Sequence, residues 1–363
     1  MRSFLVLFLV ASMLVLAAPV AADAPEFPEF TPMDAGPEGV AVDNVGNVYV
    51  SVGIDEPGTV DDHTEVWKYD PTGVPELLAN LPGPGAAGLA VDANGKHVYA
   101  AQQFVGVFKI AMDGTFEPVP GTLFNEDDGS GIVLPNSLAF DKKGNLYITE
   151  TFSFDATDGL DYYSDCDFTG VPDAPPFNGW FGSGGIWVVP KGGTAELLVR
   201  DDLLTGLCMD NPIPYPIGAN GLAYRHGRLF VANTEQALLL EIPVLKGGGL
   251  GDIHVVADLN GPGTFGPALI DGIALDVHGN IYAAIITDSS IKRVSPDGQQ
   301  VETVATWEDG LDFPASLAFG TGKGERKSIF ATNLAFPVDG KPDGFAGPGF
   351  AKIDVGQPGM PLP

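Results

Sequence analysis

Apolar and polar positions alternate in one phrase that the chain repeats six times. It runs PEGVAVDNVGNVYVSV from Pro37, AAGLAVDANGKHVYAAQ from Ala86, PNSLAFDKKGNLYITET from Pro135, ANGLAYRHGRLFVANTE from Ala219, IDGIALDVHGNIYAAII from Ile270 and PASLAFGTGKGERKSIFATN from Pro314. In each copy an apolar stretch broken by small alanine predicts an inner strand packed on both sides. A turn of the D-x-x-G-N kind and a second apolar stretch follow, which is the signature of a hairpin. Asp43, Asp92, Asp141 and Asp276 are thereby expected to be structural turn residues.

Two further strands complete each unit. A third runs through EVWKYDPTG, GVFKIAMDG, GIWVVPKGG, LLLEIPVLKGG, SSIKRVSPDG and FAKIDVG, and a fourth follows in every unit except the last. Aligned on Gly39, Gly88, Ser137, Gly221, Gly272 and Ser316, the copies lie 44 to 51 residues apart, with one longer gap of 84. Periods of this size belong to propellers. The fold class predicted is all-β, a six-bladed β-propeller. Its last blade lacks a fourth strand of its own, and the segment from Glu26 to Met33 is predicted to supply it and close the ring, leaving no unpaired edge.

Strand order sorts the loops onto two faces. If the inner strands run downward, the connections entering them and those between second and third strands lie on top, and the hairpin turns lie below. The extra length of the third unit, from Phe152 to Gly185, is then a long top-face connection, and such loops are commonly functional. Its aromatic residues Tyr162, Tyr163, Phe177, Trp180 and Phe181 either line a pocket, with Trp180 a substrate-pocket candidate, or pack the loop onto its own blade.

The start of each inner strand points at the central channel. The residue just ahead of the aligned position is Glu38, Ala87, Asn136, Asn220, Asp271 and Ala315 in turn. Two carboxylates and two amide carbonyls on one ring suit a hard divalent cation, calcium above all, with coordination left over for water or substrate. No His or Cys occupies the ring, which weighs against zinc. The competing reading makes them polar caps for the loops above the strands; their joint occurrence at equivalent positions weighs toward a metal. A cation there would polarise a carbonyl and stabilise an oxyanion, with Asp271 activating water or attacking directly.

The phrases PEGVAVD, PNSLAFD, ANGLAY and IDGIALD resemble the metal-bearing segments of the senescence marker protein, gluconolactonase and luciferin-regenerating enzyme family (SMP-30/gluconolactonase-like). More distantly they are similar to diisopropylfluorophosphatase and serum paraoxonase. The resemblance implies that Glu38, Asn136, Asn220 and Asp271 bind a catalytic divalent cation, often calcium. It further implies that Asp271 is the acid/base or nucleophile, and that the substrates are small lactones or related esters. The alternatives carried beside a hydrolase of this kind are a non-enzymatic binding propeller with NHL-type repeats and a phosphoesterase of the organophosphate type.

Composition narrows the setting. Residues 1–22 read as a secretory signal peptide: Arg2, then an apolar run from Phe4 to Ala18, then small residues before Asp23. The propeller domain is accordingly expected over 23–363, exported to a periplasm or outside the cell and free of the membrane once the leader is cut. The chain has 18 basic and 47 acidic residues, a net charge of −29, which argues against nucleic acid as a partner. Cys166 and Cys208 fall on the top face in adjacent blades, and an exported context favours a disulfide between them over two separate thiols. Of five histidines only His63, in the upper loop of the first unit, is placed to reach a substrate; a solvated loop residue is the competing reading. Two G-x-G-x-x-G matches, at Gly83 and Gly261, lead into strands rather than helices, so neither reads as a dinucleotide site. No G-x-S-x-G elbow occurs, which removes support for a serine hydrolase.

Overall fold

The computed structural model describes residues 27–54, 63–125, 129–153, 183–207, 216–338, 341 and 343–362. The predicted signal peptide, Cys166, Cys208, Trp180 and the aromatic residues expected beside it lie outside them.

Six four-stranded antiparallel sheets succeed one another in chain order. The inner strands are Pro37–Val42, Ala86–Val91, Pro135–Phe140, Ala219–Arg225, Ile270–Leu275 and Pro314–Phe319, and they define blades 1 to 6. In blade 6 the outermost strand is Phe30–Pro32 from the N-terminal segment, antiparallel to Gly349–Asp354 with Phe30 opposite Ala351 and Pro32 opposite Gly349. The predicted propeller and its closure are both observed. Phe27 anchors the closing segment, its ring 5.0 Å from Phe330 and 5.9 Å from Phe350, in the seam between blades 6 and 1.

The core is a ring of six wedges, one between each pair of neighbouring blades. Leu89 and Val91 of blade 2 pack with Val66 and Leu81 of blade 1, for example, and Ile270 and Ile273 of blade 5 pack with Ala232 and Leu239 of blade 4. Apolar residues on both sides of every inner strand are the reason, since each inner strand must bury two faces. Fully buried aliphatics such as Val48, Ile148 and Ile281 each contribute about 1.5–3 kcal/mol. Among the described residues the only helical segments are short 3-10 turns, such as Asp202–Leu204 and Trp307–Asp309. None is long and apolar enough to cross a membrane.

Every inner strand carries an irregularity at the same place. Pairing jumps from Pro37↔Val52 to Val40↔Val50 in blade 1, and in the same way between Ala86 and Gly88, Pro135 and Leu138, Ala219 and Leu222, Ile270 and Ile273, and Pro314 and Leu317. One extra residue on the inner strand is a β-bulge, which re-aims side chains and often borders active sites. Each of the six rim positions compared in the sequence, Glu38 to Ala315, sits inside one.

Candidate functional site

The six bulges bring Glu38, Ala87, Asn136, Asn220, Asp271 and Ala315 to the upper rim of the channel. Close approach of the blades makes this possible. A methyl group on Gly88 would collide with the Asn136 carbonyl oxygen, and one on Gly221 with that of Asp271. Glycine at these positions lets each bulge rest on the backbone of the next blade.

Hydroxyls on the second strands stitch the rim together. Thr149 Oγ1 accepts from Ser137 N at 2.9 Å and donates to the Asn220 carbonyl at 2.6 Å, tying blade 3 to blade 4. Thr332 Oγ1 accepts from Ser316 N at 2.9 Å and donates to the Glu38 carbonyl at 2.6 Å, which closes blade 6 onto blade 1. Ser51 performs the same service between blades 1 and 2, donating to Ala86 O at 2.7 Å.

A second layer orients the polar side chains themselves. Asn136 Nδ2 donates to Thr151 Oγ1 at 3.2 Å, and Thr151 donates in turn to Ala219 O at 3.0 Å. Asn220 Nδ2 donates to Thr234 Oγ1 at 3.0 Å. With the NH2 groups committed, and no hydrogen bond to either amide oxygen among the described residues, both carbonyls are left to face another partner. Gln103 Nε2 donates to Glu38 Oε2 at 3.0 Å from blade 2, where the rim residue itself is alanine.

The two carboxylates are held in an environment that resists their charge. Asp271 is buried and its pKa is pushed up to about 7, chiefly by desolvation, with a hydrogen bond from Asn220 opposing. Glu38, only partly exposed, is pushed up to about 8, first by desolvation and then by the nearby Asp271 charge, with Gln103 opposing. Two carboxylates that repel one another across a rim of neutral oxygens are stabilised in their ionised form by a cation. The donor set fits one: all four groups offer oxygen, two of them charged, as hard divalent ions require. Among the described residues no three His, Cys, Asp or Glu side chains gather anywhere. A cation at this rim therefore depends on the two asparagine carbonyls.

The other sequence candidates fall elsewhere. His63 begins the third strand of blade 1, two strands out from the channel, with Nε2 3.8 Å from Glu65 Oε1. The turn aspartates are at the opposite end. Asp43 accepts from Val45 N, Asn47 N, Asn47 Nδ2 and Tyr49 Oη, and Asp141 and Asp276 each take two backbone amides and the Nδ2 of the turn asparagine.

Thr151, Thr234 and Gln103 were not singled out by sequence, although a signal existed. Each directly follows the second-strand residue paired with the start of its inner strand, and the series there reads Gly53, Gln103, Thr151, Thr234, Ile286 and Leu334. Threonine stands there in the two blades whose rim residue is asparagine.

Residues 207–332 match the SMP-30/Gluconolactonase/LRE-like region. The matched part holds Asn220 and Asp271; Glu38 and Asn136 precede it. Among curated proteins none matches the sequence. Solved structures do resemble it. A calcium-binding regucalcin from Agrobacterium tumefaciens has a TM-score of 0.61 at 18% identity, covering 94% of this chain and 98% of its own. A luciferin-regenerating enzyme also reaches 0.61, at 15% identity over 91% and 95% of the two chains. A gluconolactonase from Xanthomonas campestris reaches 0.58, at 17% identity over 90% and 86%. At such identities the likeness establishes the six-bladed propeller as the fold, and nothing finer.

Proposed function

We propose that the protein is an exported, divalent-metal-dependent hydrolase of small lactones or related esters, with calcium as the preferred ion. The observation that supports it most is the rim: Glu38, Asn136, Asn220 and Asp271 on equivalent bulges, with both amide NH2 groups turned aside onto threonines. The names of the similar structures, gluconolactonase and a calcium-binding regucalcin among them, point the same way.

Glu38, Asn136, Asn220 and Asp271 would hold the ion, which when bound would polarise the substrate carbonyl and stabilise the developing oxyanion. Asp271, buried on the rim among the other donors, is the carboxylate we assign to take a proton from an attacking water. Asn220 lies near enough to Asp271 to favour its charged form. Gln103 holds Glu38 in place through one of its two carboxylate oxygens.

Hydrolysis of a panel of simple lactones, aryl esters and phosphotriesters, before and after chelation, tests the reading. Lactone or ester hydrolysis that disappears on chelation and returns with calcium is expected. Unchanged activity after complete removal of divalent ions would end the metal assignment. A phosphotriester preference would move the substrate class and keep the site.

A further inference from the structure

On the lower face, opposite the rim, a groove of about 460 Å³ opens between blades 2 and 3. Its floor is apolar: Val119 and Leu146 belong to the buried wedge between these blades, and Tyr99 and Phe140 pack against it edge to face, ring centroids 5.0 Å apart. Its edge is basic. Four of the chain's 18 basic residues line it, namely Lys109, Lys142, Lys143 and Lys191, although the protein carries a net charge of −29.

The groove's carboxylates are already engaged. Glu117 pairs with Lys109 at 3.0 Å, Asp92 lies 2.8 Å from His97 Nδ1, and Asp141 is spent on turn amides and Asn145. Among the described residues Lys142, Lys143 and Lys191 have no ion-pair partner, and all three are exposed. Turn geometry places them together. Lys142 and Lys143 occupy the first hairpin turn of blade 3, and Lys191 the turn from its third to its fourth strand, with the stem of Lys191 lying against Gly144. Three ammonium groups on a flat surface would be unremarkable. Over a recessed apolar floor they supply both halves of an amphiphile site.

We infer that this groove binds a small amphiphilic anion, an alkyl carboxylate of medium chain length, with its tail on Tyr99 and Phe140 and its headgroup among Lys142, Lys143 and Lys191. The volume is that of a small-molecule site rather than a macromolecular interface. Charge selects the headgroup, because Lys142, Lys143 and Lys191 attract an anion on a protein whose net charge of −29 otherwise disfavours one. The site is separate from the rim and does not depend on the hydrolase reading.

Calorimetric titration of the full chain with sodium decanoate, below its micelle concentration, tests the inference. Saturable one-to-one binding is expected, weakened by added salt because the lysines are exposed. The charge-reversed variant K142E/K143E/K191E should bind about tenfold more weakly or worse, each lost ion pair removing a charge-assisted contact. D271N should bind decanoate as the parent does, which separates this groove from the rim. Absence of saturable binding overturns the proposal, as does binding that survives the triple substitution or is lost in D271N. Saturable binding of hexaglutamate without binding of decanoate also overturns it, and would make the groove a surface for acidic peptides.

Discussion

The two ends of the central channel are built from the same six strands, yet they hold their carboxylates in opposite ways. At the lower end Asp43, Asp141 and Asp276 are buried, and each accepts at least three hydrogen bonds from its own turn and its neighbours. At the upper end Asp271 is just as buried with only Asn220 favouring its charge, while Glu38 takes Gln103 and faces the Asp271 charge. The lower end is also apolar. A cavity of about 190 Å³ below the rim is lined by residues such as Leu89, Leu138 and Leu317 and by Met360, Pro361 and Leu362 of the C-terminal segment. Burial alone does not make a carboxylate chemically available. Oxygen valence left unmet does.

The sharpest way to break this contrast is to remove one charge from each end. Asp271→Asn should lower kcat/KM for the preferred lactone or ester by about 100-fold to 10,000-fold with little change in melting temperature. Asp276→Asn should do the reverse, costing about 1.5–3 kcal/mol of stability per lost charge-assisted bond while activity per folded molecule is kept. Equal losses of activity in both variants would show that the ends do not differ as described.

A smaller effect is expected from the layer behind the rim. Thr234→Val removes the hydroxyl that receives the Asn220 NH2 and is nearly the same size, so the fold should survive. Calcium affinity should fall by about 10- to 100-fold, as outer-shell changes commonly do. Calorimetric titration with calcium reads this directly, and an unchanged affinity would remove Thr234 from any positioning role.

The smallest effect sits in the pH dependence of stability. The rim carboxylates have folded pKa values raised above their ordinary 4.5 and 3.8, so the ion-free fold holds protons that the unfolded chain has released. Its stability should therefore decline as pH rises from the ordinary carboxylate range to about 8, and level off above it. Calcium binding needs both groups ionised, so affinity should climb through the same window with release of protons. Melting curves on either side of that window, with calcium and with chelator, check the sign. Glu38→Gln should flatten the ion-free profile, whereas a profile unaltered by that change would detach the effect from the rim.

Much of this was legible in the chain. The six phrases carry the strands, the turns and the blade count, because each unit repeats the same local demands: two buried faces on the inner strand and a positive-φ glycine in the hairpin, as at Gly46 and Gly144. The missing fourth strand of the last unit pointed to the N-terminal segment that Phe30–Pro32 provides. Even the rim residues could be picked out, since they are where the repeat stops being symmetric. The bulge that aims them was not visible, because an extra residue on one strand is defined only against the register of its partner.

The one-dimensional order of residues thus determined the architecture and nominated Glu38, Asn136, Asn220 and Asp271, since repetition forces equivalent positions onto one ring. Only the tertiary structure decided how those side chains are held. Thr151 and Thr234 turn the two amides, Gln103 reaches from blade 2 to Glu38 in blade 1, and Asp271 raises the pKa of Glu38 from four blades further along the chain. The grouping of lysines above Tyr99 and Phe140 was likewise invisible, for it joins turns and strands of two blades. Repeats set the frame because their physics is local; orientation and charge coupling at the rim arise only when the ring closes and distant residues meet.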